Sequence, residues 1–236
     1  MAGRRSRKSR STAVFDGELP IYECLVVDVN TQCDFLSAEG VLPIEDRQGV
    51  LERFKKLSDW VKKHRLPVAS LVDAHRPGGE NVRSPLFHCI EGTPGQQKVP
   101  FTLLPKRFLI DHDGSLALPE DILDNYRQII ICKRTNDVFT NPKADRFFST
   151  VQAKRWLVFG VGAERAIKSL VLGLLSRGKC PIVIGDACGY WDEQAAELAL
   201  RQVEAKGAVV LETEHVLQTD PADLPVPEIV IKTDGD

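Results

Sequence analysis

From Tyr22 onward the chain alternates short, continuous apolar runs with stretches in which apolar residues recur every three or four positions. YECLVVDV (22–29) predicts a strand, DRQGVLERFKKLSDWVKKHR (46–65) an amphipathic helix, and PVASLV (67–72) a second strand. RFLID (107–111) and QIIICK (128–133) predict two more strands, followed by a helix around 143–152. RWLVFG (155–160) leads into a long helix over 164–177, CPIVIGDA (180–187) into a helix over 192–206, and AVVLE (208–212) closes the series. Strands apolar on both faces and separated by helices predict a parallel sheet covered on both sides, because right-handed crossovers lay helices against it. The expected class is therefore α/β, a doubly wound and mostly parallel sheet, with residues 73–106 as a Pro- and Gly-rich loop region.

In such sheets, sites form beyond the C-terminal strand ends. Asp28 to Gln32, Asp73 to His75, Lys133 and Gly160 to Ala166 all follow a predicted strand directly. The stretch VFGVGAERAIKSLVLGLLSRG (158–178) reads as a strand running through a glycine turn into a helix. Such an elbow presents a side chain at a helix N-terminus, where free N–H groups and the helix dipole favour negative charge. Here that side chain is the methyl group of Ala166.

Composition narrows the classes further. Of 236 residues, 43% are hydrophobic and 27% charged, which suits one sizeable soluble domain, expected over 21–236. No apolar run is long enough to span a bilayer and no secretory leader is evident, so a cytoplasmic protein with no membrane association is expected. The six cysteines are scattered without metal-type pairing and read as reduced thiols. MAGRRSRKSR (1–10) carries five positive charges and no acid although the net charge is -2, so charge is segregated. Residues 1–20 are expected to form a disordered basic tail; nucleic-acid binding is expected nowhere unless through this tail.

Four stretches together resemble the nicotinamidase and isochorismatase-like cysteine hydrolase family. They are VVDVNTQCDF (26–35), SLVDAHRPGGEN (70–81) with HCIEGTPGQQKVP (88–100), CKRTNDVFTNP (132–142), and the elbow with GDACGYWDE (185–193). The resemblance implies a three-layer α/β/α fold, a homo-oligomer, a small-molecule ligand, and amide hydrolysis through a cysteine thioester supported by an Asp base and a Lys. It carries the lysine onto Lys133 and the metal ligands onto Asp73, His75 and His88, which could hold Zn, Mn or Fe. The family's fourth ligand falls at Asn81, with Glu80 beside it. Its oxyanion-holding elbow commonly contains a cis peptide, here expected at Val161–Gly162.

Two catalytic positions depart from that pattern. The family's nucleophilic cysteine falls on Ala166, and a methyl group cannot attack a carbonyl. The catalytic acid falls on Asn30 when the motif is counted back from Gln32, or on Asp28 when it is counted forward from the strand; the gap-free alignment favours Asn30. An Asn side chain keeps the shape of Asp without its acid–base chemistry. HCIEGTPGQQKVP reads as a turn over the site, and Phe35, Trp60, Trp156 and Trp191 read as packing residues. The favoured reading is a pseudoenzyme that retains a pocket for a small amide-like or ring ligand. The alternatives are a hydrolase of altered chemistry, acting on an amide or vinyl ether through Asp28, Lys133 or metal-bound water, and an amidase inactivated by design.

Overall fold

A computed structural model describes residues 20–77, 87–113, 115–119 and 122–226. Its central sheet contains β1 (Leu25–Val29), β2 (Val68–Asp73), β3 (Arg107–Ile110), β4 (Gln128–Lys133), β5 (Trp156–Val161), β6 (Pro181–Gly189) and β7 (Val209–Leu211). The spatial order is β3-β4-β2-β1-β5-β6-β7 and every pairing is parallel. The expected doubly wound α/β architecture is thus observed. The winding direction reverses between β1 and β5, which makes their C-terminal ends the switch point where a crevice opens. All but the last residue of the expected basic tail lies outside the described residues.

Side-chain alternation along β1 divides the core into two layers. Leu25, Val27 and Val29 join Phe147 and Phe148 of α2 (Pro142–Thr150), Leu170, Val171 and Leu174 of α3 (Lys168–Ser176), and Ala196 and Val203 of α4 (Glu193–Ala205). Val26 faces the other way, into a layer with Phe54, Leu57, Trp60 and Val61 of α1 (Arg47–Lys63) and Val216 of α5 (Thr213–Gln218). Each fully buried large side chain contributes about 1.5–3 kcal/mol relative to exposure, so the two layers dominate the stability of the fold. Local chemistry sets the helix starts: the side chains of Asp46, Asn141 and Asp192 accept hydrogen bonds from the backbone N–H of Gly49, Lys143 and Ala195. No described helix is long and apolar enough to cross a membrane.

The predicted strand over 22–29 is in fact broken. Ile21–Tyr22 pairs with Gln152–Ala153 in a separate two-stranded sheet, and the central strand begins only at Leu25. The break coincides with Glu23, whose carboxylate pairs at the surface with Lys154 at 2.6 Å and with Arg155 at 3.4 Å. Close backbone approach governs the end of β5, where Gly160 has φ +141 and lies directly beside Val29 of β1. A Cβ there would run into the Val29 carbonyl oxygen.

Gly160→Ala is therefore expected to lower unfolding stability by about 3 kcal/mol or more, combining overpacking with unfavourable backbone geometry. Urea denaturation monitored by circular dichroism measures the loss.

Candidate functional site

The C-terminal strand ends converge around a cavity of about 300 Å³. Asn30 enters it from the end of β1, Asp73 and His75 from β2, Arg134 and Thr135 from β4, and Gly162, Arg165 and Ala166 from the elbow after β5. Phe35, Leu42, His88 and Trp191 complete much of the wall. The elbow itself is a π-helical turn, Ala163–Ile167, entered through Gly162 at φ +90 and continuing into α3. The peptide bond at Val161–Gly162 is trans, which corrects the expected cis linkage. Gly162 turns the chain from the left-handed region, open to glycine without steric cost, so the elbow closes on trans peptides alone.

The two alignments for the acid position meet different fates. Asn30 lies 2% exposed with φ +52, outside the extended geometry of β1, and its side chain lines the cavity. Its Oδ1 is buried and has no hydrogen-bond partner among the described residues. Asp28 does not line that cavity; it borders a separate, water-sized space with Val26, Ser58 and Val61 on the α1 side of the sheet. There it forms an ion pair with Lys98 and accepts hydrogen bonds from Thr31 Oγ1 at 2.9 Å and from Ser70 Oγ. The strand's two-residue period would have put residues 28 and 30 on one face, but it lapses once the chain leaves β1 at Asn30. Asp28 is thereby removed as a candidate acid facing the Ala166 elbow.

Lys133 follows directly from sheet register. Its Cα is the partner of Asp73 on the neighbouring parallel strand, and the two side chains form a buried ion pair. Lys133 is 0% exposed and also donates to the Thr135 carbonyl at 3.3 Å. The Gln32 side chain clamps the same corner, donating to the carbonyls of Asp73 and Gln96 and accepting from the Asp73 N–H, each at 2.8 Å.

Backbone pairing of His75 with Cys89 and Glu91 brings His88 against His75, with ring centroids 4.9 Å apart. The ligand atoms of Asp73, His75 and His88 lie within 4.8 Å of one another. One carboxylate and two imidazoles, open to a cavity, suit a divalent transition metal. A carboxylate has two oxygens, so the ion pair with Lys133 leaves one available for coordination. Burial holds the pKa of His75 below its usual value, which favours the neutral ring that can ligate. Glu80 and Asn81, the expected fourth-ligand region, lie outside the described residues.

None of the six cysteines lines the cavity. Burial pushes the thiols of Cys24 and Cys132 up to about 12 and raises that of Cys89 as well, so these groups stay protonated. Phe35 and Trp191, read from sequence as packing residues, also form the cavity's aromatic wall, with ring centroids 5.4 Å apart. Three cations escaped notice in the sequence: Lys98, inside what read as a turn, and Arg134 and Arg165 on the cavity wall. Arg134 was detectable, since it follows Lys133 at a strand end; Lys98 gave no periodic signal.

Comparison with known proteins agrees with this layout. The family model for the Isochorismatase domain matches residues 24–215. The chain belongs to this family. Its fold is similar to that of an isochorismatase-like hydrolase from Alkaliphilus metalliredigens, with a TM-score of 0.67 and 16% identity over 83% of this chain and 98% of that one. It is also similar to a pyrazinamidase of Pyrococcus horikoshii in complex with zinc, with a TM-score of 0.63 and 19% identity over 80% and 99% of the two chains. An N-carbamoylsarcosine amidase from Thermoplasma acidophilum gives a TM-score of 0.63 and 16% identity over 81% and 97%. No curated protein sequence matches the chain.

Removing one partner of a buried ion pair leaves an uncompensated charge, so Lys98→Ala should cost about 3–5 kcal/mol of stability. Because Asp28 and Lys98 lie outside the Ala166 cavity, conservative replacement of Asp28 by Asn should change the melting temperature while leaving ligand affinity at the cavity unchanged. Paired calorimetric unfolding and ligand titration check both expectations.

Proposed function

We propose that this member of the isochorismatase domain family holds a small amide-like or ring ligand in the Asn30–Ala166 cavity and does not cleave it through a thioester. The observation that carries the reading is the elbow, where Ala166 borders the cavity and no cysteine does. Covalent catalysis requires a side chain that can form a bond to the substrate, and a methyl group forms none. Asn30 compounds the loss, because a carboxamide cannot take and keep a proton as a carboxylate can. Loss of a nucleophile costs several orders of magnitude in rate, and losses within one catalytic unit are not additive. Lys133 can still neutralise Asp73 and support the cavity's shape, and Phe35 and Trp191 can flank a planar ring.

Asp73, His75 and His88 favour a second reading, in which a divalent metal takes part. Zn, Mn or Fe held by these residues would supply Lewis acidity. The neighbouring pyrazinamidase that was crystallised with zinc supports the fit of a metal to this fold. Two imidazoles and a carboxylate would orient such an ion, and Asn30 and Arg165 would line the space in front of it.

The purified protein should release no ammonia from nicotinamide or simple amides above buffer. Ala166→Cys alone should stay at that level, whereas Ala166→Cys combined with Asn30→Asp should release it measurably. Turnover by the unmodified chain, together with its labelling by a thiol-directed substrate analogue, would overturn the proposal. For the metal, zinc titration should raise the melting temperature, and His75→Ala with His88→Ala should abolish that rise.

A further inference from the structure

We infer that Asp34 is a positioning residue for metal binding: its buried carboxylate holds the backbone beside His88 so that the imidazole meets Asp73 and His75. This rests on the reading that a divalent metal binds those three residues, and it adds which group assembles them.

Asp73 ends β2 and His75 follows two residues later, so one strand end brings both to the rim. His88 arrives from elsewhere, and residues 78–86 before it lie outside the described residues. Among the described residues its backbone is fixed from the C-terminal side. The Cys89 carbonyl accepts the His75 N–H at 3.0 Å, and the Cys89 N–H donates to Asp34 Oδ2 at 2.6 Å. That N–H belongs to the planar peptide joining His88 to Cys89, so Asp34 fixes the plane from which the His88 side chain departs. An ionised acceptor makes this bond roughly twice as strong as a neutral one would. Cys89 also has φ +48, in the left-handed region, a conformation that a non-glycine residue keeps only where its surroundings hold it. Asp34 supplies the side-chain contact to that backbone.

The helical turn Cys33–Leu36 builds this contact with care for both partners. Asp34 is 6% exposed, and its Oδ1 accepts the Val41 N–H at 3.3 Å, so the carboxylate is itself oriented. Gly95 backs directly onto it, and a Cβ there would overlap the carboxylate oxygens. Phe35, next in the chain, puts its ring centroid 5.4 Å from that of His88, on which the His75 ring also packs at 4.9 Å. Gln32, two residues before Asp34, binds both backbone groups of Asp73. Residues 32–35 therefore grip both arms of the cluster: Gln32 holds the strand arm that carries Asp73, while Asp34 and Phe35 hold the loop arm that carries His88. Asp34 does not line the cavity and is not one of the three clustered ligands, so it acts through His88. Loss of an outer group that orients a ligating histidine lowers metal affinity by about 10–100-fold.

Calorimetric zinc titration of the full chain and its variants tests the role. Asp34→Asn keeps the shape of the side chain and should weaken zinc binding about tenfold or more, with the circular dichroism spectrum retained. Gly95→Ala keeps the carboxylate but displaces it, so it should also weaken zinc binding, and it reports on the same contact if Asp34→Asn does not fold. Because the effect runs through His88, Asp34→Asn should cost little further affinity in a His88→Ala background. The absorption spectrum of bound cobalt(II) should likewise shift in Asp34→Asn toward that of His88→Ala. Wild-type zinc affinity in either folded variant would overturn the inference and leave the metal reading standing. An equal loss with and without His88 would overturn it too, since Asp34 would then act on the fold or the charge at large. If the unmodified chain binds no zinc, the metal reading fails, and this inference fails with it.

Discussion

A charge without water around it needs an opposite charge beside it, and two lysines impose that condition on the rim of this sheet. Lys98 and Lys133 are both nearly inaccessible to solvent, and each is held by one carboxylate, Asp28 and Asp73 respectively. Stranding either ammonium would cost several kcal/mol, so the pairings are conditions of the fold as much as features of a site. They also assign roles. Asp28 is committed to a network with Lys98, Thr31 and Ser70 under the sheet, and Asp73 is committed to Lys133 at the next strand end. Asp28 lies outside the Ala166 cavity, and Asp73 lines it as one half of an ion pair.

The pairings arise from topology. Parallel register makes Asp73 and Lys133 direct neighbours, and the reversal of winding between β1 and β5 brings Asn30 and the elbow to the same crevice. The glycines of the elbow allow the close approach: Gly160 lets β5 lie against Val29, and Gly162 then turns the chain into the helix. The same construction that could place a nucleophile at a helix start here places the methyl group of Ala166 on the cavity wall.

How much of this could be read from the residues depends on the range of the forces involved. The strands were legible because burial on both faces leaves continuous apolar runs such as QIIICK, and the helices because their apolar stripes recur at helical spacing. The family motifs brought Asn30, Asp73, His75, His88, Lys133 and Ala166 to notice, and all but Lys133 line the cavity, with Lys133 paired to Asp73 beneath it. What escaped was set by backbone conformation at single residues or by contacts between distant segments. Asp28 and Asn30 were hard to separate because strand periodicity was carried one residue past the strand's end, where φ turns positive. Lys98 meets Asp28 across seventy residues of chain, a pairing that no local pattern announces.

The neutral side chain at residue 30 has a consequence for the whole cavity. With a carboxamide there, Lys98 and Lys133 are matched one to one by Asp28 and Asp73, and among the described residues Asp73 is the one carboxylate on the cavity wall. A carboxylate at residue 30 would place a second negative charge on that wall. A carboxamide at residue 30 thus bears on the charge of the cavity as well as on proton transfer.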